Sequence, residues 1–357
     1  TSPFQPILTA APGDFTLAMV YTGVKNPAGL AVDSSGAVWI AAGSAASVNG
    51  GHGAVYKFNS NGAATAGPLL ASGMNGPTQL AFDPSGNLWV GNSGGNSNKG
   101  SLSELSAAGS QLSPTNGYTA TVNLPSGLAI DQSGNVWVGN GNNTLSKFSN
   151  SGGSYTGSTV TIAGDTSGGG ETINGIAIDS AGNLWIGLFS AAKLIKQDAS
   201  GNPATGSPYS GGGLSGIEAV AIDASGNTWA ADQTAGNGGV SEFSSAGVAA
   251  AGSPYRAGGI VMPGPLSLAL DGSGKAYVAS YDANGNGNGN LTVLSASGTP
   301  LAGSPLAGAY LVGPAGSIAV DRSGNVWVTN SVNASFTELV GLAAPVKTPL
   351  LGPAQLP

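Results

Sequence analysis

The chain has no cysteine and a single histidine, His52, among its 357 residues. Disulfides are excluded, and one histidine can build neither a zinc site nor a catalytic triad. Charge is scarce as well. Only 8% of residues are Asp, Glu, Lys or Arg, against roughly 25% in ordinary soluble domains. The net charge is −7, and no cluster of Lys and Arg offers the basic face that nucleic-acid phosphates require. No apolar run approaches the roughly 18 residues of a membrane span. A sustained 3.6-residue apolar period is missing too, so no substantial helix is expected. Lack of charge together with abundant Ser, Thr, Asn, Gly and Ala suits a secreted protein, outside a bacterial cell or at its surface. The start at Thr1 is compatible with removal of a signal peptide.

What is present is a repeat. "AVDSSGAVWIA" at Ala31 returns as "AFDPSGNLWVG" at Ala81, "AIDQSGNVWVG" at Ala129 and "AIDSAGNLWIG" at Ala177. "AIDASGNTWAA" at Ala221, "ALDGSGKAYVA" at Ala269 and "AVDRSGNVWVT" at Ala319 complete the series. Its aspartates are Asp33, Asp83, Asp131, Asp179, Asp223, Asp271 and Asp321, spaced 50, 48, 48, 44, 48 and 50 residues apart. A catalytic residue is needed once, whereas these recur in every unit, so they are architecture. Within a unit two short strands flank an S-G-N turn, where Gly accepts positive φ and Asp can bond back to turn amides. A third strand follows ("LSELS", "LSKFS", "VSEFS", "FTELV"), and then a weaker fourth that usually carries an S-P step. Four strands at this period predict an all-β, seven-bladed β-propeller of four-stranded blades. Trp39, Trp89, Trp137, Trp185, Trp229, Tyr277 and Trp327 are expected to fill the wedges between blades.

Fourth strands of the first six blades fall near Pro68, Pro114, Val160, Pro208, Pro254 and Pro305, and "VKTPLLG" around Pro349 can supply the seventh. That assignment divides the chain into an N-terminal extension over 1–27, a propeller over 28–351 and a tail over 352–357. The extension is then surplus, although it repeats the fourth-strand pattern at Pro3 and continues into "FTLAMVYT". Phe4, Ile7, Leu8, Phe15 and Leu17 make it too apolar for a solvated tail. Outer strands here lack the charges that normally guard sheet edges, and "GSTVTIAG" in the third blade lacks even a proline. A donatable strand and an accepting edge in one chain predict self-assembly by strand addition, and head-to-tail addition that does not close gives filaments. The partners expected are therefore other copies of the chain or cell-surface components.

Other candidates are few. Asp282, Asn284, Asn286 and Asn290 in "DANGNGNGN" hold the 1, 3, 5 and 9 spacing of a calcium loop. They are a weak Ca²⁺ candidate, because the loop offers one carboxylate where good sites offer three or four; a Gly-Asn hairpin is the plainer reading. No other cofactor is expected. His52 reads as an exposed loop residue. Glu171 and Glu218 precede first strands at the expected channel mouth, where isolated carboxylates are usually solvated. Asn142, Asn290 and Asn333 head glycan-acceptor triplets.

The repeat "GLAVD…GNVWVGN" resembles that of NHL-type propellers and, more closely, of the virginiamycin B lyase family, whose blades begin "G-I-x-x-x-x-x-G-x-V-W-F-T-E". The resemblance spans about residues 28–340. It implies a propeller with a channel-mouth site, in which an acid three residues after the Trp, and a His two further on, lie near a divalent metal. The three-on positions here are Ala42, Asn92, Asn140, Leu188, Asp232, Ser280 and Asn330. The five-on positions are Ser44, Gly94, Asn142, Ser190, Thr234, Asp282 and Val332, with no His. The general-base chemistry that the resemblance would carry has no histidine to run it. Asp232 with Asn140 and Asn92 is the nearest analogue of a lactonase-type metal set. No catalytic residues are therefore assigned. A non-enzymatic structural or interaction module is the favoured reading, with a metal-dependent lyase or lactonase, or a carbohydrate or surface-ligand binder, as the alternatives.

Overall fold

A computed structural model describes residues 17–43, 49–94, 99–164, 171–234, 238–260, 263–282 and 288–357. Its strands form seven antiparallel sheets of three or four strands arranged around a central channel. This is the expected all-β, seven-bladed propeller. Numbered in chain order, β1 (Leu17–Thr22) precedes the first blade, which contains β2 (Pro27–Val32), β3 (Val38–Ala42), β4 (Ala54–Phe58) and β5 (Ala64–Leu69). The second holds β6 (Pro77–Phe82), β7 (Leu88–Asn92) and β8 (Ser101–Leu105); the third, β9 (Pro125–Ile130), β10 (Val136–Asn140), β11 (Leu145–Ser151) and β12 (Ser154–Val160). The fourth has β13 (Gly175–Ile178), β14 (Leu184–Leu188) and β15 (Lys193–Gln197); the fifth, β16 (Ile217–Ile222), β17 (Thr228–Asp232) and β18 (Gly239–Phe243). The sixth is β19 (Pro263–Leu270), β20 (Ala276–Asp282), β21 (Asn288–Leu294) and β22 (Leu306–Val312). The seventh contributes β23 (Pro314–Val320), β24 (Val326–Asn330) and β25 (Ser335–Val340).

Outer strands are regular in some blades only. In the second, fourth and fifth blades, the segments that carry Pro114, Pro208 and Pro254 make single bridges, such as Leu102 to Tyr118 and Val240 to Tyr255. Proline cannot donate to a ladder, which breaks these edges up.

The recurring aspartate does two jobs. Asp33 Oδ1 accepts from the Ser35 and Ala37 amides at 2.9 Å each, which closes the turn, while Oδ2 accepts from Trp39 Nε1 at 3.0 Å. The same indole bond recurs at Trp89, Trp137, Trp229 and Trp327, and the Tyr277 hydroxyl replaces it in the sixth blade. All seven aromatic residues are buried on second strands. Each packs on the next blade, as Trp39 does edge-on against Phe82 at 5.8 Å. Burying one such side chain contributes up to about 3 kcal/mol, so the wedge residues are the main cement of the ring.

Third strands carry a charged residue opposite the Trp, and its sign sorts the blades. Lys57, Lys147 and Lys196 lie over Trp39, Trp137 and Trp185 at 4.6–4.9 Å. Glu104, Glu242 and Glu338 instead accept a tyrosine hydroxyl, from Tyr118, Tyr255 and Tyr21, at 3.1, 2.6 and 2.8 Å. Burial raises the pKa of all three carboxyls.

Both termini depart from the expectation. The fourth strand of the seventh blade is β1, paired antiparallel with β25 from Leu17 opposite Val340 to Thr22 opposite Ser335. Tyr21 stacks on Phe336 at 5.0 Å, which anchors it. "LAMVYT", the described part of "FTLAMVYT", therefore closes the ring rather than being surplus, and Leu17 is paired within its own blade. The part of the extension that can still be surplus is residues 1–16, with Phe4, Ile7, Leu8 and Phe15, which lie outside the described residues.

Residues 341–357 cross the underside of the ring. Ala344 N donates to Asp271 Oδ2, Val346 N to the Asp321 carbonyl, Thr348 Oγ1 to the Asp33 carbonyl and Ala354 N to the Ile222 carbonyl. Leu351 packs in the cluster of Ile130 and Val136. The tail so ties together blades that are remote in sequence. Pro345, Pro349 and Pro353 remove backbone donors from this segment at every fourth position, whereas β1 contains no proline.

Candidate functional site

Inner strands run along the channel, from an open mouth at their N-terminal ends to the Asp turns and the tail below. Five inner strands break register near the mouth, between Pro27 and Leu30, Pro77 and Gln79, Ile217 and Ala219, Pro265 and Ser267, and Pro314 and Ile318; a sixth shift, at Asn140 in β10, leaves Ser126 of β9 unpaired. A β-bulge frees one residue from the ladder and re-aims it. Thr78, Ser126, Glu218 and Ser317 are the polar residues so freed, and all line the mouth. With Thr172 and Asn174 they border a cavity of about 590 Å³. Among the described residues Glu218 is the one charged group on that wall. Asn174 Nδ2 donates to Glu218 Oε2 at 2.7 Å, and burial of the half-covered carboxyl raises its pKa.

Below the mouth the walls become apolar. A cavity of about 240 Å³ is lined by the lower halves of all seven inner strands, among them Leu30, Ile130, Ile222 and Val320, and by Val346, Thr348, Pro349 and Leu350 of the tail. Leu128, Ile176, Val220, Leu268 and Ile318 border both cavities. The channel so has a hydroxyl- and amide-rich top and an aliphatic bottom, which meet at these five side chains.

The acid-bearing register of the lyase-like pattern does not face this space. Asn140 Nδ2 donates to Ser146 Oγ at 2.9 Å, Ser146 Oγ passes its hydrogen to the Thr121 carbonyl, and Asn140 Oδ1 accepts from Asn123 N at 2.9 Å. Asn330 repeats the relay with Thr337 and the Tyr310 carbonyl. Asn92 bonds Ser101 and Ser103 of its own third strand. Asp232 stands in the same place, fully buried, with Oδ2 2.6 Å from Ser241 Oγ and Oδ1 accepting from Ser215 N at 3.1 Å. Burial pushes its carboxyl up to about 7, against the pull of these bonds and of Arg256. Asn92, Asn140 and Asp232 are thus each held within their own blade and form no shared metal set. Among the described residues no three His, Cys, Asp or Glu side chains cluster.

The remaining candidates scatter. His52 is exposed in the turn between β3 and β4. Glu171 is buried rather than solvated: its Oε2 accepts from Ser190 N at 2.8 Å, which secures the approach to β13. Asn290 is buried, and its Nδ2 donates to the Gly259 carbonyl at 2.5 Å. Asn284, Asn286 and the side chain of Asp282 lie outside the described residues. The mouth residues Thr78, Ser126 and Asn174 escape a reading by motif. One signal was available, because the fifth position before each repeat Asp varies (Ala28, Thr78, Ser126, Asn174, Glu218, Leu266, Gly316) while the residue before it is always Pro, Ile or Ala.

No family model matches the sequence, and no curated protein matches it. Solved structures do. A catalytically inactive virginiamycin B lyase from Staphylococcus aureus with quinupristin superposes with a TM-score of 0.68 at 16% identity, over 92% of this chain and 99% of that one. The extracellular domain of a B. thetaiotaomicron protein described as a hybrid two-component system gives 0.55 at 17%, over 88% of this chain and 39% of that one. The Swd1 β-propeller domain of Myceliophteria thermophila gives 0.64 at 10%, over 90% and 99%. At these identities the likeness is one of fold, and it bears out the lyase-like propeller resemblance. No helix among the described residues is long and apolar enough to cross a membrane.

Proposed function

We propose that this propeller is a non-catalytic interaction module working outside the cell, and that its copies join by strand addition to the third blade. The observation that carries the reading is β12. This seven-residue outer strand, "SYTGSTV", pairs with β11 along its whole length and contains no proline and no charged residue. Such an edge is a template for another strand. The donor is residues 1–13 of a second copy, which precede the closing strand β1 and which the ring does not need in order to be complete. Phe4, Ile7 and Leu8 would each contribute about 1.5–3 kcal/mol if fully covered, before ordering costs. The low content of charged residues, 8%, supports an extracellular setting. The alternative of a metal-dependent lyase or lactonase is weakened because Asp232, its one acid in register, is enclosed within its blade.

Light scattering on the full chain, on a chain beginning at Asp14, and on a Thr156→Lys/Ser158→Lys double variant tests the reading. Oligomers in the first and monomers in the other two are expected. A monomeric full chain at high concentration, or assembly that survives either change, overturns it.

A further inference from the structure

The channel combines features that a purely architectural hole does not need. Its lower part is an aliphatic chamber floored by the chain's own tail, and no charged residue lines it. Its mouth offers hydroxyls and amides and carries a single charge, the Glu218 carboxylate, with no cation beside it among the lining residues. Glu218 occupies a bulge in β16, a local departure from the ladder that aims it toward the channel. One of its oxygens is engaged by Asn174 at 2.7 Å, which fixes the carboxylate and leaves the other to offer. A desolvated anion of this kind gains from a cationic partner that it does not have to reach for.

We propose that the channel binds a slender cationic amphiphile, with a primary ammonium head at Glu218 among Thr78, Ser126 and Asn174 and an unbranched aliphatic chain in the chamber below. The five aliphatic residues shared by the two cavities, Leu128, Ile176, Val220, Leu268 and Ile318, form the collar through which the chain passes. The tail segment around Pro349 and Leu350 sets the depth. This site is independent of the β12 edge, so either reading can fail without the other.

Calorimetric titration of the full chain with n-alkylamines from hexyl to dodecyl, below their micellar concentrations, tests the proposal beside matched n-alkanols and n-alkanoates. One amine should bind per chain. Each added methylene should tighten binding by about fourfold, the equivalent of about 0.8 kcal/mol per buried CH₂, until the chain meets the tail and the gain stops. Alkanols should show the same slope at lower affinity, and alkanoates should bind at least tenfold more weakly than amines, by roughly the worth of one desolvated charge pair. Glu218→Gln, checked for folding by its thermal melt, should bring amine affinity down to that of the alkanols and leave the slope unchanged. The wild-type comparison of amine, alkanol and alkanoate stands without the variant. No saturable binding of any amine, binding of many amines per chain, or equal affinity for amine and alkanoate overturns the proposal.

Discussion

Ser241 Oγ stands 2.6 Å from Asp232 Oδ2 and 3.0 Å from the Gly212 carbonyl. Asn140 and Ser146 are related in the same way, with the serine hydrogen directed to a carbonyl and the amide supplying the hydrogen to the serine. A carboxylate has no hydrogen to supply. A protonated Asp232 does, and it reproduces the asparagine relay bond for bond. The raised pKa and the geometry therefore agree.

The first prediction is a pH dependence. With a folded pKa of about 7 against an ordinary 3.8, the folded state holds a proton that the unfolded state has lost. Stability from this site is thus full below about pH 4, declines as pH rises toward 7 and stays reduced above it. The span corresponds to on the order of 4 kcal/mol. Asp232→Asn should match the wild type in melts at pH 4 and exceed it clearly at pH 8. Parallel stability profiles for the two proteins would show that Asp232 is ionised in the fold.

Closure of the ring supplies the second. Tyr21 stacks on Phe336 and donates to Glu338, so it holds β1 to the seventh blade. Tyr21→Ala should cost about 2–4 kcal/mol in denaturant unfolding. Removal of residues 1–13 should cost nothing measurable, whereas removal of 1–22 should abolish the cooperative transition. A stable, cooperative chain starting at residue 23 would mean that another segment can close the blade.

The tail gives the third. Its bonds to Asp33, Asp271, Asp321 and Ile222 join blades that otherwise meet only their neighbours. A chain ending at Leu342 should melt at lower temperature and bind a hydrophobic dye through the uncovered lower channel. An unchanged melt would reduce the tail to a passive cover.

Two indoles give the fourth. Trp327 Nε1 donates to Asp321 at 2.9 Å, whereas Trp185 Nε1 is buried without a partner among the described residues, its aspartate being taken by Asn183 and Lys196. Replacing each by Phe removes similar volume but breaks a bond only at Trp327. Trp327→Phe should be the more destabilising by about 1–3 kcal/mol. Equal losses would show that packing alone decides both sites.

Much of this protein is decided locally, and the sequence by itself determined it. Asp and Trp six residues apart, with a Gly turn between, specify two strands and a bond across their ends, so the repeats announced the number of blades and their wedge residues. What lies beyond one repeat was not legible in that way. "FTLAMVYT" and "VKTPLLG" are both short, apolar and adjacent to open edges, and pattern alone placed the wrong one in the seventh blade. The choice depends on which segment lies beside β25 once the ring has formed, and that is a property of the assembled ring. Burial of Asp232 and Glu171, and the bulge that turns Glu218 to the channel, were likewise decided by tertiary structure, because whether a carboxylate meets water depends on residues far away in the chain.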